Sequence, residues 1–234
     1  MHMDTGDMAS SATVGTDVPA QRVVLFDFDG VLLHGDAFYL FIRSRYARSW
    51  LRKLLVLPCL PWLLLQLPFS RRRVARTLVH AALFGTGEQR YQAQARTYAA
   101  EMVQHSRLFN RDALRTLRRH QQAGDRVIVV TGCEQALVGG ILEQLGLGNV
   151  ELLASRLRAT GLGMRTGFHN IGANKLKALA AHGVTAWQQA YSDSLMDVPM
   201  LKPAAEPVLV NGTPKLCKKM DVALGRVVGR AEWR

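Results

Sequence analysis

Unbroken apolar blocks alternate along this chain with stretches of helical period. Arg22 to Phe28 reads RVVLFDF, an apolar run that ends in acids. That pattern predicts a strand buried on both faces, with function at its carboxyl end. From Asp36 to Trp50, Phe38, Leu40, Phe41 and Ile42 fall on one side and Arg43, Arg45 and Arg48 on the other. A helix is expected there, with Asp36 available as its cap. Arg71 to Phe84 and Glu88 to His105 predict two further helices, parted by Gly85-Thr86-Gly87, and Arg111 to Gln122 another that stops before Gly124.

The period then changes. Arg126 to Thr131 (RVIVVT) is β-branched and continuous, hence a second buried strand. Gln135 to Leu145 reads as a helix ended by Gly146, Val150 to Ala154 as a third strand, and Asn174 to Ala181 as a helix. Leu157 to Phe168, with Gly161, Gly163 and Gly167, reads as a β-hairpin or a loop. Trp187 to Tyr191 leads into another strand, and Pro207 to Val210 forms a last one. Strands alternating with helices predict an α/β fold with a doubly wound parallel sheet. Residues 37–109 interrupt the alternation and are mostly helical, so they are expected to form a cap inserted after the first strand. The core domain then comprises residues 21–36 and 110–234. Residues 1–20 are rich in Ser, Thr, Gly and Asp and hold no apolar run. They are expected to be a disordered leader without the features of a secretory signal.

One stretch fits neither period. Leu54 to Phe69 (LLVLPCLPWLLLQLPF) carries no charge over 16 residues and is flanked by Arg52-Lys53 and Arg71-Arg72-Arg73. A spanning helix wants about 20 apolar residues, and Pro58, Pro61 and Pro68 each disturb a helix. A bent segment in a membrane interface is expected, with basic flanks among acidic headgroups. The alternative is a buried part of a water-exposed cap.

Charge sharpens this picture. The formal net charge is +12, and no Asp or Glu occurs between Asp36 and Glu88. An anionic partner follows: nucleic acid, an acidic membrane surface or a phosphorylated substrate. Base-stacking aromatics interleaved with basic residues are sparse, so nucleic acid is not expected. The cysteines, Cys59, Cys133 and Cys217, are few and widely spaced. A disulfide framework or zinc knuckle is therefore not expected, and a reducing compartment fits.

Candidate chemistry falls at the ends of expected strands or the starts of helices, where an open α/β sheet places its ligand. Asp27 and Asp29 stand two apart in DFDGV, and Gly30 lets the chain turn sharply. Carboxylates beside a core are costly unless paired, metal-bound or catalytic. Thr131-Gly132 follows the second strand and offers a hydroxyl and an N–H to a phosphate, although Thr is also an ordinary cap. Lys175 opens a helix where a cation opposes the macrodipole unless it faces an anion; Lys177 has equal chemistry nearby. YSDSLMD places Asp193 after a strand and Asp197 four residues on, and Asp193 suits a hard cation such as Mg²⁺.

The order of these signals, DxDGV, Thr-Gly, Lys and SDxxxD, resembles the haloacid-dehalogenase-like (HAD) phosphatase superfamily over residues 22–211. The insertion after the first motif resembles its helical type I caps. The LLVLPxLP run at Leu54, TGxxQxLV from Thr131, ASRL near Ala154 and YSDSxxDxPxL from Tyr191 look most like the C-type phosphatidylglycerophosphate phosphatases of bacteria. The resemblance implies a Rossmann-like sheet and an aspartyl-phosphate intermediate on Asp27, with Asp29 as general acid and base. It implies Lys175 as a catalytic cation and Thr131 with Gly132 as phosphate holders. Mg²⁺ would be bound by Asp27, the Asp29 backbone carbonyl and Asp193, supported by Asp197. Asp36 lies nine residues after Asp27, where relatives place an acid near the substrate; the capping role stays open beside that one. Val31 stands where many members have Thr, and Cys133 where related chains often carry Ser.

The implied reaction removes the terminal phosphate of phosphatidylglycerophosphate at the cytoplasmic face of a bacterial inner membrane. One alternative is a soluble phosphatase of the phosphoserine type, located in the cytoplasm. Another, from a different class, is a basic membrane or nucleic-acid adaptor with an inactive site. The sequence leaves the oligomeric state open.

Overall fold

The structure, a computed structural model, describes residues 21–66 and 68–234. The leader expected over residues 1–20 lies outside the described residues.

Seven strands form one sheet: β1 (Val23–Phe26), β2 (Arg126–Glu134), β3 (Glu151–Thr160), β4 (Gly163–Phe168), β5 (Gln189–Ser192), β6 (Glu206–Val210) and β7 (Gly229–Ala231). Their order is β4-β3-β2-β1-β5-β6-β7. Every neighbouring pair is parallel except β3–β4. The order reverses at β1, which has β2 on one side and β5 on the other. In such a sheet the crevice beyond that switch point is the natural ligand site. The doubly wound α/β fold expected from the alternation is the one found, with the helical cap inserted after the first strand.

The cap consists of α1 (Ala37–Ala47), α2 (Trp50–Val56), α3 (Leu60–Gln66), α4 (Arg71–Ala82) and α5 (Glu88–Gln104). The long apolar run becomes two short helices, α2 and α3, joined by a 3-10 turn at Leu57–Cys59. Pro58 and Pro61 sit in first-turn positions, where the missing N–H has no helical partner to lose. Within α3 Leu63 is buried, while Leu64 and Leu65 are exposed. The run is therefore mostly surface, not cap interior.

The remaining helices are α6 (Arg111–Gln122), α7 (Gln135–Gln144), α8 (Ala173–Ala181), α9 (Val198–Leu201) and α10 (Pro214–Leu224). Phe26 and Val129 on one sheet face share a single apolar cluster with Phe41, Tyr91 and Ala95 of the cap. Leu25, Ile128 and Val130 on the other face pack with Leu179, Met200 and Met220. Strand alternation accounts for this division.

Cap and core meet most closely where α5 crosses α7. A Cβ on Gly140 would lie 3.1 Å from that of Ala99, so the small residue permits the approach. The Tyr91 hydroxyl donates to Glu134 Oε2 at 2.5 Å. The same carboxylate accepts from Leu137 N at 3.1 Å and caps α7. Tyr91→Phe is expected to cost about 1–3 kcal/mol, because it strips a donor from a buried carboxylate. Urea denaturation should show a lower midpoint with unchanged slope; an unchanged midpoint would remove this link between cap and core.

The structure departs from the sequence expectation at β2 and β7, among other places, and decides one alternative that the sequence left open. Strand β2 continues past Thr131 to Glu134 through a register shift against β3; a Gly-Cys pair reads as a break, although neighbouring strands hold it. The Leu157 to Phe168 alternative resolves as a hairpin, with Thr160 paired to Gly163. Strand β7 carries no apolar signal, being three residues of an edge fixed by β6.

Candidate active site

Strand β1 ends at Phe26, and Asp27 continues the line by donating its N–H to Tyr191 O at 2.9 Å. Its carboxylate is thereby held at the switch point. Asp27 Oδ1 accepts from Phe28 N at 2.8 Å and lies 3.0 Å from Lys175 Nζ. Lys175 projects from the first turn of α8 and is only 2% exposed. Its ammonium also lies 2.7 Å from Asp197 Oδ2, which accepts from Ser192 Oγ at 2.7 Å. Lys177, chemically equal in sequence, is exposed. The two lysines are thus separated by two residues, which puts them on different sides of α8, and by a complete change of environment.

Burial governs the electrostatics. It pushes the Asp27 carboxyl well above the usual carboxylate range; Lys175 pulls it down, and Asp197, sharing the same ammonium, raises it again. Burial lowers Lys175, but the two carboxylates outweigh that and leave it above the ordinary lysine value. Asp29 is half-buried and its Oδ1 accepts from Ala37 N at 2.8 Å, which ties it to the first residue of the cap. Burial moves its carboxyl up to about 7, against the pull of that hydrogen bond.

Gly30 carries the turn after Asp29 with φ +77°, and a Cβ there would lie 1.9 Å from Asp193 Oδ2. The Asp193 carboxylate therefore rests on the bare backbone of the DxDG turn. Burial raises its pKa, as does Asp197, while Lys175 acts in the opposite sense. Among the described residues no lysine or arginine forms an ion pair with Asp193. Lys175 thus joins Asp27 and Asp197 in one buried cluster, Asp193 lies against the turn that follows Asp29, and the carboxylates outnumber the cation.

Thr131 is fully buried on β2, the strand that pairs with β1, and its Oγ1 accepts from Cys133 N at 3.0 Å, leaving its own proton to donate. Gly132 leaves no room for a side chain, since a Cβ would meet Ile171 Cγ2 at 2.7 Å. Its carbonyl accepts from Ser155 Oγ at 2.7 Å, and Asn170 N donates to that same hydroxyl oxygen at 2.9 Å. Asp36 lies exposed at the head of α1 and accepts from Tyr39 N at 2.7 Å. That geometry gives it the capping role.

Sequence reading missed the supports: Ser192, Ser155, Asn170 and Glu134. The first two lay inside segments already singled out, YSDS and ASRL, Ser192 at the end of β5 and Ser155 within β3. Asn170 carried no signal. Cys133 is buried in the apolar cluster, and burial pushes its thiol up, which disfavours a reactive thiolate.

Solved structures share this architecture. A protein of unknown function from Bordetella pertussis Tohama I superposes with TM-score 0.65 at 22% identity, covering 89% of this chain and 98% of its own. A phosphoserine phosphohydrolase-like protein from Francisella tularensis superposes with TM-score 0.56 at 15% identity, over 90% and 94% of the two chains. A phosphoserine phosphatase holding a phospho-aspartyl intermediate analogue gives TM-score 0.52 at 20% identity, over 86% and 90%. The family model for haloacid dehalogenase-like hydrolases matches residues 24–202, with the Asp27, Thr131, Lys175 and Asp193 segments inside the match, and the chain belongs to that family.

Proposed function

We propose that this protein is a magnesium-dependent phosphomonoesterase in which Asp27 takes the phosphoryl group onto its own carboxylate. The observation that carries the reading is the buried Asp27–Lys175–Asp197 cluster at the sheet's switch point, with Asp29 and Asp193 beside it.

The residues have the chemistry for each step. An Asp27 oxygen attacks phosphorus while the bond to the leaving oxygen breaks, and Asp29 gives that oxygen its proton. Burial raises the Asp29 carboxyl above the ordinary range, which suits a group that alternates between acid and base. It then takes a proton from water as the water attacks the aspartyl-phosphate, freeing phosphate and restoring Asp27. Thr131 Oγ1 and the Gly132 N–H would hold phosphoryl oxygens. Lys175 balances the charge on Asp27, and its second partner Asp197 fixes the ammonium in place.

The donor set suits Mg²⁺. Among the described residues no three His, Cys, Asp or Glu side chains are grouped to hold a metal by themselves. Magnesium characteristically takes only one or two carboxylates and completes its shell with water and phosphate. The Asp27 carboxylate, the Asp29 carbonyl and Asp193 would hold it, with Asp197 behind them. When bound, the cation would spread the phosphoryl charge. Gly30→Ala tests the arrangement, since its Cβ would occupy the space of the Asp193 carboxylate. Phosphate release is expected to fall by about a hundredfold or more, with a higher magnesium requirement; wild-type magnesium dependence would contradict the assignment.

Two readings of the substrate each have an observation behind them. The solved phosphoserine phosphatases favour a small phosphate ester of that type. The cap surface favours a phosphate at a lipid surface, phosphatidylglycerophosphate by the sequence resemblance. Trp50, Leu51, Leu57, Leu64, Leu65 and Phe69 are each more than half exposed on one short segment. No helix among the described residues is long and apolar enough to cross a membrane, so this reading has α2 and α3 lying in the interface of an anionic membrane. Residues 37–109 would then be the membrane-facing cap on a core of residues 21–36 and 110–234. A phosphate-release screen against phosphatidylglycerophosphate, phosphatidic acid, phosphoserine and a nucleotide, with magnesium and with chelator, tests both. Release from none of them with magnesium would sink the phosphatase reading, and preference for phosphoserine would sink the lipid one.

A further inference from the structure

Two chain turns far apart in sequence meet at the edge of the cap. The α4–α5 turn carries Phe84 and the β3–β4 turn carries Leu162, and these side chains are 50% and 56% exposed. Backbone pairing holds the turns together: Phe84 bridges to Gly163, and Gly85 N donates to Leu162 O at 3.1 Å. Gly163 makes the approach possible, since with φ +116° a Cβ there would lie 2.3 Å from Leu83 O. Tight turns ordinarily present small polar residues to water. Here two turns present large apolar side chains next to each other.

This patch adjoins the apolar face already described. Arg52 of α2 donates to Ala82 O at 3.0 Å, two residues before Phe84. Arg45 donates to the same carbonyl at 3.0 Å. The end of α4 is therefore bound to α2 on one side and to the hairpin turn on the other. Exposed large apolar side chains grouped in this way mark an interaction site.

Charge identifies the occupant. No Asp or Glu occurs from Leu152 to Ser192, a segment that includes Arg156, Arg158 and Arg165. This second acid-free segment meets the first, between Asp36 and Glu88, where α4 faces β4. Arg165 of β4 and Arg76 of α4 both lie close enough to His80 to lower its pKa, after burial. Cations around exposed Leu, Phe and Trp match the headgroup and acyl layers of an anionic bilayer, where each basic residue near the surface adds about 1 kcal/mol.

We propose that the joined turns at Phe84 and Leu162, with Arg165 on the same hairpin and Arg76 further along α4, form the second half of a docking surface for an anionic lipid bilayer that also engages α2 and α3. The proposal rests on the membrane reading above and adds to it a core hairpin that the apolar run alone does not include. A bilayer held by both halves would fix the orientation of the cap and of the β4 edge together, where contact through α2 and α3 alone would leave the molecule free to tilt.

Flotation of the full-length protein with vesicles tests this, using phosphatidylcholine alone and phosphatidylcholine mixed with phosphatidylglycerol in equal parts. The wild type is expected to partition to the mixed vesicles. The double substitution Phe84→Ser with Leu162→Ser should weaken partition by roughly tenfold or more, from the apolar area withdrawn. Arg165→Glu should weaken binding to mixed vesicles and leave binding to phosphatidylcholine as it was. Val222→Ser, on α10 and 83% exposed, should bind like wild type. Melting curves for each variant identify any loss of fold, and Arg165→Glu keeps the test open if the double variant unfolds. Wild-type partition by the double variant, with weakened partition by Trp62→Ser, would confine the surface to α2 and α3 and overturn the proposal. No partition by the wild type would overturn the membrane reading itself. Gel filtration showing a dimer that Leu162→Ser dissociates would assign the face to a second copy and also overturn it.

Discussion

Asp27→Asn is expected to reduce phosphate release by about a thousandfold or more while the chain stays folded. Asparagine keeps the shape of the side chain and can still accept from Phe28 N, but its amide oxygen is a far poorer nucleophile than a carboxylate. Loss of a covalent catalyst is not compensated by the groups that remain, because they act as a unit. The stability side of the expectation follows from burial. Asp27 is 7% exposed and its pKa in the fold is raised well above the ordinary value, chiefly by desolvation. Between those two values the unfolded chain releases a proton that the folded chain keeps, so stability falls as pH rises through that window. The asparagine variant lacks this fall, and Lys175 still has Asp197 at 2.7 Å. Measured in chelator near neutral pH, the variant should therefore melt at or above the wild-type temperature. A large drop in melting temperature, or substantial retained activity, would contradict the role given to Asp27.

Lys175→Met has the opposite signature, costing stability as well as rate. The ammonium is the ion-pair partner of Asp27 and Asp197, all three deeply buried. Its removal leaves carboxylates with no cation in a poorly solvated site, and breaking one side of a buried pair costs about 3–5 kcal/mol. The sign with pH is fixed by the raised lysine pKa. The lysine's contribution is complete below the ordinary lysine value and fades as pH rises through the folded one. The gap between wild type and the Lys175→Met variant should therefore persist across neutral pH and narrow in strong alkali. Adding Asp197→Asn to Lys175→Met should recover part of the loss, because neighbours in one network are not additive. Urea denaturation measures wild type, single and double variants; a double variant no more stable than Lys175→Met would mean that the ion pair is not the cause.

Of the two residues, Asp27 was readable in type and place before any coordinates, and Lys175 only as one of two neighbouring lysines. Asp27 stood out because two acids end an apolar strand, a costly placement that needs a partner. The alternation of strands and helices was equally plain, since buried parallel strands write continuous β-branched runs such as RVIVVT. What the sequence withheld depends on contacts between distant segments. Lys175 and Lys177 differ only in which side of α8 faces Asp27, and only the fold separates them. Ser155 and Asn170 position Gly132 through one shared hydroxyl, a bond made 15 residues apart in sequence with no periodic pattern. Strand β7 exists because β6 supplies a free edge, not because Gly229–Ala231 favours extension. The Leu54 to Phe69 run showed its hydrophobicity but not its exposure; that required α4 to pack beneath it.

The most direct test of the central claim is to look for phosphate on Asp27 itself. Asp29→Asn should be mixed with 4-nitrophenyl phosphate and magnesium, then quenched in acid and digested for mass spectrometry. The nitrophenolate leaves without a proton, so the first step proceeds without Asp29, while the second lacks its base and the intermediate accumulates. One phosphoryl group is expected on the peptide carrying Asp27, absent when Asp27→Asn is added. Nitrophenol released in catalytic amounts with that peptide unmodified throughout would contradict a phosphoryl group carried by Asp27.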